Sequence, residues 1–439
     1  MPGPSSSPTV AVINSDSDIM STTTSRWASS LPDDLVRQIA SLLLAGDLQD
    51  YVRFRAVCAS WRFGTASPRG RGVVDPRFHP RRWMMLPEGG GLHPGHPKLH
   101  GYVRFFNLDT GAFVRVHIPL FQDHCVLDSM DGLLVLQRDH DTAVRVLHPF
   151  TGDIVDLPPL STIPPQVQEL VVGCPKQKKL PIIRRISAAA TFADDGVVTV
   201  MLAMTNLYRV AFATSQDRQW TVPTWWHGIS QPLLSSQGKI YVACEKTDNK
   251  TAKRSVHIFH IDTPLPDEVL QPPELIATCT IDKLCEPVYL VECDSEVLVI
   301  GHTDVFRSRM VVYKLADLIM EMYIPLISIG DKAIFIKERA LSVSAKALPT
   351  VTGDTIVCTH QVDRCLAQYH LGSGTWSLAK DQCSLDGIEP GPCSFIHYII
   401  TCCTRAYWNK GLLILRKKYR AGYGIRWLRW PVAGYRRRG

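Results

Sequence analysis

Three groups of side chains in this sequence have the residue types and spacing for chemistry. His93, His96 and His100 fall within eight positions of one another in a Gly/Pro-rich stretch, and imidazoles so close could hold a zinc ion. No cysteine or carboxylate stands beside them to complete a ligand set, so a metal site is not expected. Asp139, His140 and Asp141 follow Arg138 and contain the groups of an acid/base pair, but they lie between two apolar runs, where a solvated turn is expected. Gly372-Ser373-Gly374 lacks the Lys-Ser/Thr that a phosphate loop needs, and no Gly-x-Ser-x-Gly nucleophile elbow occurs. The 13 cysteines are irregularly spaced, with no CxxC pair, and Cys402 and Cys403 are merely adjacent. They read as reduced packing residues. No catalytic residue, metal or cofactor is expected.

The elements that would position such groups change character along the chain. Residues 1–26 are rich in Ser, Thr and Pro and hold too little apolar surface to offset ordering, so they read as a disordered leader. Leu31, Leu35, Ile39 and Leu43 then recur every four residues, one face of a helix. Pro32 suits a helix start, and Asp33 and Asp34 complement the dipole of its first turn. Gly46 breaks the pattern and Asp47 can cap a second helix, along which Leu48, Tyr51, Phe54, Val57 and Trp61 follow. The spacing predicts two or three short helices with two apolar seams.

From about residue 80 the period shortens to that of strands, as in Leu133-Leu134-Val135-Leu136 and Val197-Val198-Thr199-Val200. Asn107-Leu108-Asp109-Thr110-Gly111 and His148-Pro149-Phe150-Thr151-Gly152 each join two strand-like runs. Their threonines lie 41 residues apart, near the repeat length of a propeller blade. Weaker copies occur at Asp217–Pro223, Val312–Asp317 and Tyr369–Trp376, with turn-then-strand elements such as Asp131-Gly132 and Gln237-Gly238 between. The fold class expected is α+β by segregated domains: a small N-terminal all-α unit at 27–66, then a large all-β domain at 80–415, propeller-like, with a β-sandwich or two smaller β-domains as the alternative. Blade number is not countable from these uneven offsets.

The chain of 439 residues is 45% hydrophobic and 20% charged, values of a folded globular protein. It shows neither a signal peptide nor an apolar run long enough for a membrane span, so an intracellular place, cytoplasmic or nuclear, is expected. The net charge of +7 is concentrated at one end: eleven basic residues and no acidic one follow Glu389, leaving residues 1–389 mildly acidic. The basic-aromatic stretch 416–439 reads as a solvated tail, with binding of nucleic acid or a membrane surface through it as an alternative. Nucleic acid is not expected as a partner of the body.

The helical segment carries a resemblance. Leu31-Pro32-Asp33-Asp34-Leu35, then Ile39, then Val52 through Ala56 and Val57-Cys58-Ala59-Ser60-Trp61-Arg62 closely resemble the F-box, which opens on Leu-Pro and ends on Val-Cys-x-x-Trp-Arg. Leu42 through Asp50 reads as slightly longer than that family's usual link between its first two helices. Further on, His148–Gly152, Ile329-Gly330-Asp331-Lys332-Ala333-Ile334-Phe335 and Leu412–Leu415 are similar to a large plant family that joins an F-box to a β-propeller-like domain. The resemblance implies a role and no reaction. The helical unit would dock on a Skp-family adaptor, and through it a cullin–RING ubiquitin ligase, while the β-domain would hold an unidentified protein substrate. Carried over by position, the adaptor contact would use Leu31, Pro32, Leu35, Ile39, Val57, Cys58 and Trp61. Two further readings stay open: an F-box binding protein working outside the ligase, and an enzyme built on the β-domain, which would need convergent polar groups that the sequence does not advertise.

Overall fold

The computed structural model describes residues 31–88, 92–167, 186–205, 207, 209–225, 233–248, 252–266, 268–348, 351–359, 366–379, 395–404 and 408. The expected leader, the basic run at 175–179, the apolar run at 412–415 and the basic tail lie outside these residues. The chain divides into two compact units, Met1–Gly72 and Val73–Gly439. No helix among the described residues is long and apolar enough to cross a membrane.

Among the described residues the first unit holds three helices: α1 (Asp33–Gly46), α2 (Leu48–Ala56) and α3 (Ala59–Phe63). The described residues of the second form strands in six sheets, all but one of them joined by consecutive antiparallel pairing. Sheet 1 is β1 (Trp83–Leu86), β2 (Tyr102–Asn107) and β3 (Phe113–His117). Sheet 2 is β4 (His124–Met130), β5 (Leu133–Arg138), β6 (Val144–Leu147) and β7 (Ile154–Leu157), and sheet 3 is β8 (Ile186–Phe192), β9 (Val198–Met204) and β10 (Arg209–Thr214). Sheet 4 is β11 (Leu233–Ser236), β12 (Lys239–Thr247), β13 (Arg254–Asp262) and β14 (Glu274–Thr280), and sheet 5 is β15 (Cys285–Cys293), β16 (Glu296–His302) and β17 (Met310–Lys314). After a short helix, α4 (Leu315–Ile319), come β18 (Lys332–Ile336), β19 (Ala340–Ser344), β20 (Thr355–Thr359), β21 (Leu366–His370) and β22 (Thr375–Leu378) of sheet 6, ordered β19-β18-β20-β21-β22 with β18 and β20 parallel. Helix α5 (Phe395–Cys402) follows.

The period-2 alternation of the strands decides how the sheets stack. On β5, Leu133 and Val135 face a cluster shared with Ile186, Ala188 and Val200 of sheet 3, while Leu134 and Leu136 face one shared with Trp83, Met85 and Phe105 of sheet 1. Sheets 3 and 4 share Met201 and Ile240, sheets 4 and 5 share Ile258 and Leu290, and sheets 5 and 6 share Ile300 and Ile334. The series then returns to its start, because Phe335 and Val357 of sheet 6 pack with Leu86 and Phe106 of sheet 1 around Ile396, Ile399 and Ile400 of α5. Six sheets in cyclic contact form the radial arrangement of a propeller-like domain, which hides both faces of each sheet.

Turn chemistry sets the hairpins. Asp131-Gly132 and Gln237-Gly238 have positive φ at both positions, the type I′ geometry that suits the strand twist. A Cβ on Gly132 would meet the Pro80 carbonyl oxygen at 2.1 Å, so only glycine serves there. In the two strongest repeats the residue before the Thr-Gly turn ties the turn down. The Asn107 side-chain oxygen accepts from the backbone N–H groups of Asp109 and Thr110, both at 3.0 Å. His148 does the same with Nδ1, accepting from Thr151 at 3.0 Å and Phe150 at 3.3 Å. Its proton is therefore on Nε2, which donates to the Phe78 carbonyl at 3.0 Å. The weaker copy at Asp217–Pro223 forms no strand, only a bridge between Thr221 and Phe212, and Val312–Asp317 runs from β17 straight into α4.

One buried ion pair ties the ring together. The Arg339 guanidinium, in the turn between β18 and β19, bonds Asp128 Oδ1 on β4, and the other carboxylate oxygen accepts from the Ala188 N–H of β8 at 2.8 Å. The same guanidinium lies 4.5 Å from the centre of the Trp408 ring, and the Arg339 N–H donates to the Cys403 carbonyl at 3.1 Å. Removing one partner of a buried pair strands the other charge, which costs more than the pair contributes. Arg339→Ala is expected to lower unfolding free energy by about 3–5 kcal/mol, and Arg339→Met with Asp128→Leu by clearly less. Urea unfolding of both variants checks this, and a single variant as stable as the wild type would refute the assignment.

Two histidines make stability depend on pH. Burial pushes the imidazoles of His79 and His302 down to about 4 from the usual 6.5. Above pH 6.5 both are neutral in the folded and unfolded chain alike. Between 6.5 and 4 the unfolded chain takes up protons that the fold resists, so stability falls as pH falls, on the order of 3 kcal/mol for each residue. Urea midpoints measured from pH 7.5 to 4.5 should drop, and His302→Asn should flatten part of that slope.

Candidate adaptor-binding site

The helical unit is built around a small interior. Val36 and Ala40 of α1 meet Leu48, Tyr51 and Phe54 of α2 and Trp61 of α3, all buried. The Trp61 ring stacks on Phe54 with centroids 4.3 Å apart and an interplanar angle of 22°. Tyr51 Oη donates to the Ala66 carbonyl at 2.6 Å, and Thr65 Oγ1 donates to the Trp61 carbonyl at 2.6 Å. The first holds the chain that leaves α3 against α2, and the second ties it to the end of α3.

Local signals explain each helix end. Pro32 stands at the cap of α1, where its missing N–H costs nothing, and its carbonyl accepts from Val36 at 3.1 Å. Asp47 is the only residue between α1 and α2, and its carboxylate caps α2 by accepting from the Gln49 N–H at 2.6 Å. The link between the first two helices is therefore no extended insertion: the segment from Leu42 to Asp50 is helical except for Asp47. Cys58 caps α3, its Sγ accepting from the Trp61 N–H at 3.5 Å. The Val-Cys-x-x-Trp spacing thus places a thiol cap three residues before the ring that fills the interior.

The seven residues expected at an adaptor contact separate into groups. Leu35 and Ile39 are 45% and 38% exposed, and Leu42, at the next turn of the same face, is 68% exposed. Val57 and Pro32 are also exposed, while Leu31 and Cys58 are half-buried. Trp61 is only 6% exposed. Its ring lies inside the unit, stacked on Phe54. The reading that put Leu31, Leu35, Ile39 and Leu43 in one seam identified the outer face of α1. The inner face is Val36 and Ala40, a similar four-residue spacing that the larger leucines overshadow in the sequence. Leu42, Val52 and Phe63, all exposed, also escaped the sequence reading.

The groups of the β-domain that the sequence offered for other chemistry are engaged locally. Among the described residues, no group of three or more His, Cys, Asp or Glu side chains is placed to hold a metal ion. His93 Nδ1 lies 2.8 Å from the Pro94 carbonyl oxygen, and His96 Nδ1 accepts from the Lys98 N–H at 3.2 Å, so both are engaged locally. Asp141 is bound by Arg138 Nε at 2.9 Å and by the Ala143 N–H at 3.1 Å, which hold its carboxyl well below the usual range in a β-turn. The described cysteines are free thiols. Those at 279, 358 and 403 are pushed up to about 11, 12 and 12 by burial, the reverse of an activated nucleophile.

Comparison with known proteins agrees with this arrangement. A family model described as KIB1-4 beta-propeller matches residues 105–383, well over half of the chain. The chain belongs to the KIB1-4 beta-propeller family. An F-box protein of Arabidopsis thaliana is 30% identical over 148 residues, 34% of this chain and 32% of the relative. An F-box/kelch-repeat protein of the same plant is 28% identical over 134 residues, 30% of this chain and 32% of that relative. The aligned stretch thus spans about a third of either relative's length. Propeller family and F-box relatives together match the organisation that the sequence resembles, a plant F-box protein with a C-terminal β-propeller-like domain.

Because Trp61 is interior, Trp61→Ala should act through stability. A large-to-small change at a buried aromatic costs about 3–5 kcal/mol, enough to unfold a unit of three short helices. Far-UV circular dichroism of the variant should lose helical signal, and an unchanged spectrum would contradict the placement.

Proposed function

We propose that this protein is the substrate-recognition subunit of a Skp–cullin–F-box ubiquitin ligase. The helical unit docks on a Skp-family adaptor, and the β-domain recruits a protein substrate. The observation that carries the reading is the exposed stripe Leu35, Ile39 and Leu42 on a helix whose other face already fills the interior. An apolar stripe at i, i+4 and i+7 left to water on a short helical unit marks a surface for a partner helix or groove. Val57, Leu31, Pro32 and Cys58 extend the contact, and Trp61 supports it from behind.

The mechanism is proximity. The protein contributes no nucleophile, general base or metal, and raises the local concentration of a substrate lysine near a charged conjugating enzyme. The F-box names of the two Arabidopsis relatives support the adaptor role, and the radial β-domain offers loops from several sheets for substrate.

The test is a pull-down of purified full chain with a Skp-family adaptor. Leu35→Asp with Ile39→Asp changes only exposed positions, so the fold should stand while binding falls by roughly a hundredfold or more, given about 1.5–3 kcal/mol for each apolar side chain removed from the contact. Adaptor binding that survives in the folded double variant, or is absent in the wild type, would overturn the proposal.

A further inference from the structure

Among the described residues, the longest exposed apolar run of the β-domain lies in the connection from sheet 5 to sheet 6. Its path is fixed. Leu315 and Leu318 of α4 are buried in the cluster between sheets 4 and 5. Tyr323 Oη donates to the Thr278 carbonyl of β14 at 2.9 Å, and the Leu326 N–H donates to the Val312 carbonyl of β17 at 2.8 Å. Between and beside these anchors Ile319, Met320, Met322, Ile324 and Ile327 point to solvent, Met320 at 59% and Ile327 at 78% exposure. Leu275 on β14, the strand that receives Tyr323, is exposed as well. Single exposed apolar residues are ordinary, but five within nine positions on an anchored strap are a patch. Methionines in it suit a surface that adapts to its partner.

The charge around the patch selects the partner. Asp317 and Glu321 belong to the strap, and Glu274 adjoins Leu275. The Tyr323 hydroxyl is pushed up by burial, then by Cys279, Glu321 and Asp282, which sets Glu321 and Asp282 beside the strap. Against these stand Lys283, 3.7 Å from Asp282, and Lys314, which precedes α4, faces Asp317 and is itself paired with Glu296 at 2.9 Å, so carboxylates outnumber ammonium groups. The rim is acidic. A second copy docking face to face would oppose these carboxylates with their own symmetry mates, and an anionic lipid surface would meet the same repulsion. A segment with basic flanks gains on both counts.

We propose that this strap docks a peptide segment of a partner protein that presents Leu, Ile or Met side chains flanked by Lys or Arg. The surface lies wholly on the β-domain, so the proposal goes beyond the ligase reading and its test needs no adaptor.

The experiment is fluorescence anisotropy of the full chain with two labelled synthetic peptides that share one Leu/Ile/Met core and carry paired Lys or paired Glu at both ends. The Lys-flanked probe should bind at least about tenfold more tightly. Ile324→Asp with Ile327→Asp should weaken it about tenfold or more at an unchanged melting temperature. Asp317→Asn with Glu321→Gln should shrink the preference between the two probes. Equal binding of both probes, or binding undiminished in the first double variant, would overturn the proposal. So would a sedimenting dimer that this variant abolishes, because the occupant would then be a second copy.

Discussion

The β-domain depends on the contact between Arg339 and Asp128. Each of the first five sheets is stacked on the next by ordinary burial of alternating side chains, and sheet 6 packs on sheet 1 in the same way to complete the ring. Closing it brings two distant parts of the chain into register, and the ion pair does so with direction as well as attraction. One carboxylate oxygen is taken by the guanidinium and the other by the Ala188 N–H, so Asp128 can occupy only one position between β8 and the β18–β19 turn. Charge in a dry interior is costly unless it is fully engaged, and here hydrogen bonds and the Trp408 ring provide that engagement.

The helical unit follows the opposite logic. It is too small to bury all its apolar surface, and its interior is satisfied by Val36, Ala40, Phe54 and Trp61 and their neighbours. What remains outside is organised rather than scattered, because a helix repeats its faces. The same physics acts on the strap beyond α4, where two backbone-directed hydrogen bonds hold apolar side chains outward. In both places the informative feature is an apolar group left in water by a rigid element.

The change from helical to strand period was legible in the sequence, and so were the Leu-Pro start, the Asp47 cap and the Thr-Gly turns, because each is local chemistry. The number of sheets was not, since the repeats are of unequal length and the copy at Val312–Asp317 runs into a helix. Nor was the assignment of faces on α1. Leu35 and Ile39 are more apolar than Val36 and Ala40, so hydropathy alone points to the wrong side as interior. The stacking of Trp61 on Phe54 is a tertiary fact that spacing does not encode. Arg339 and Asp128 stand far apart in sequence with nothing to pair them in advance.

Ring closure also sets an order of events during synthesis. The face of sheet 1 that carries Leu86 and Phe106 is covered by Phe335, Val357 and the isoleucines of α5. A ribosome makes those residues roughly 230 to 290 positions after Phe106, tens of seconds later at ordinary elongation rates. Through that interval the first sheet emerges with a bare aromatic and aliphatic surface, and local contacts cannot shield it because its native cover does not yet exist. The nascent chain therefore carries an uncovered apolar face on its first sheet for most of its translation, the kind of surface through which unfinished chains aggregate.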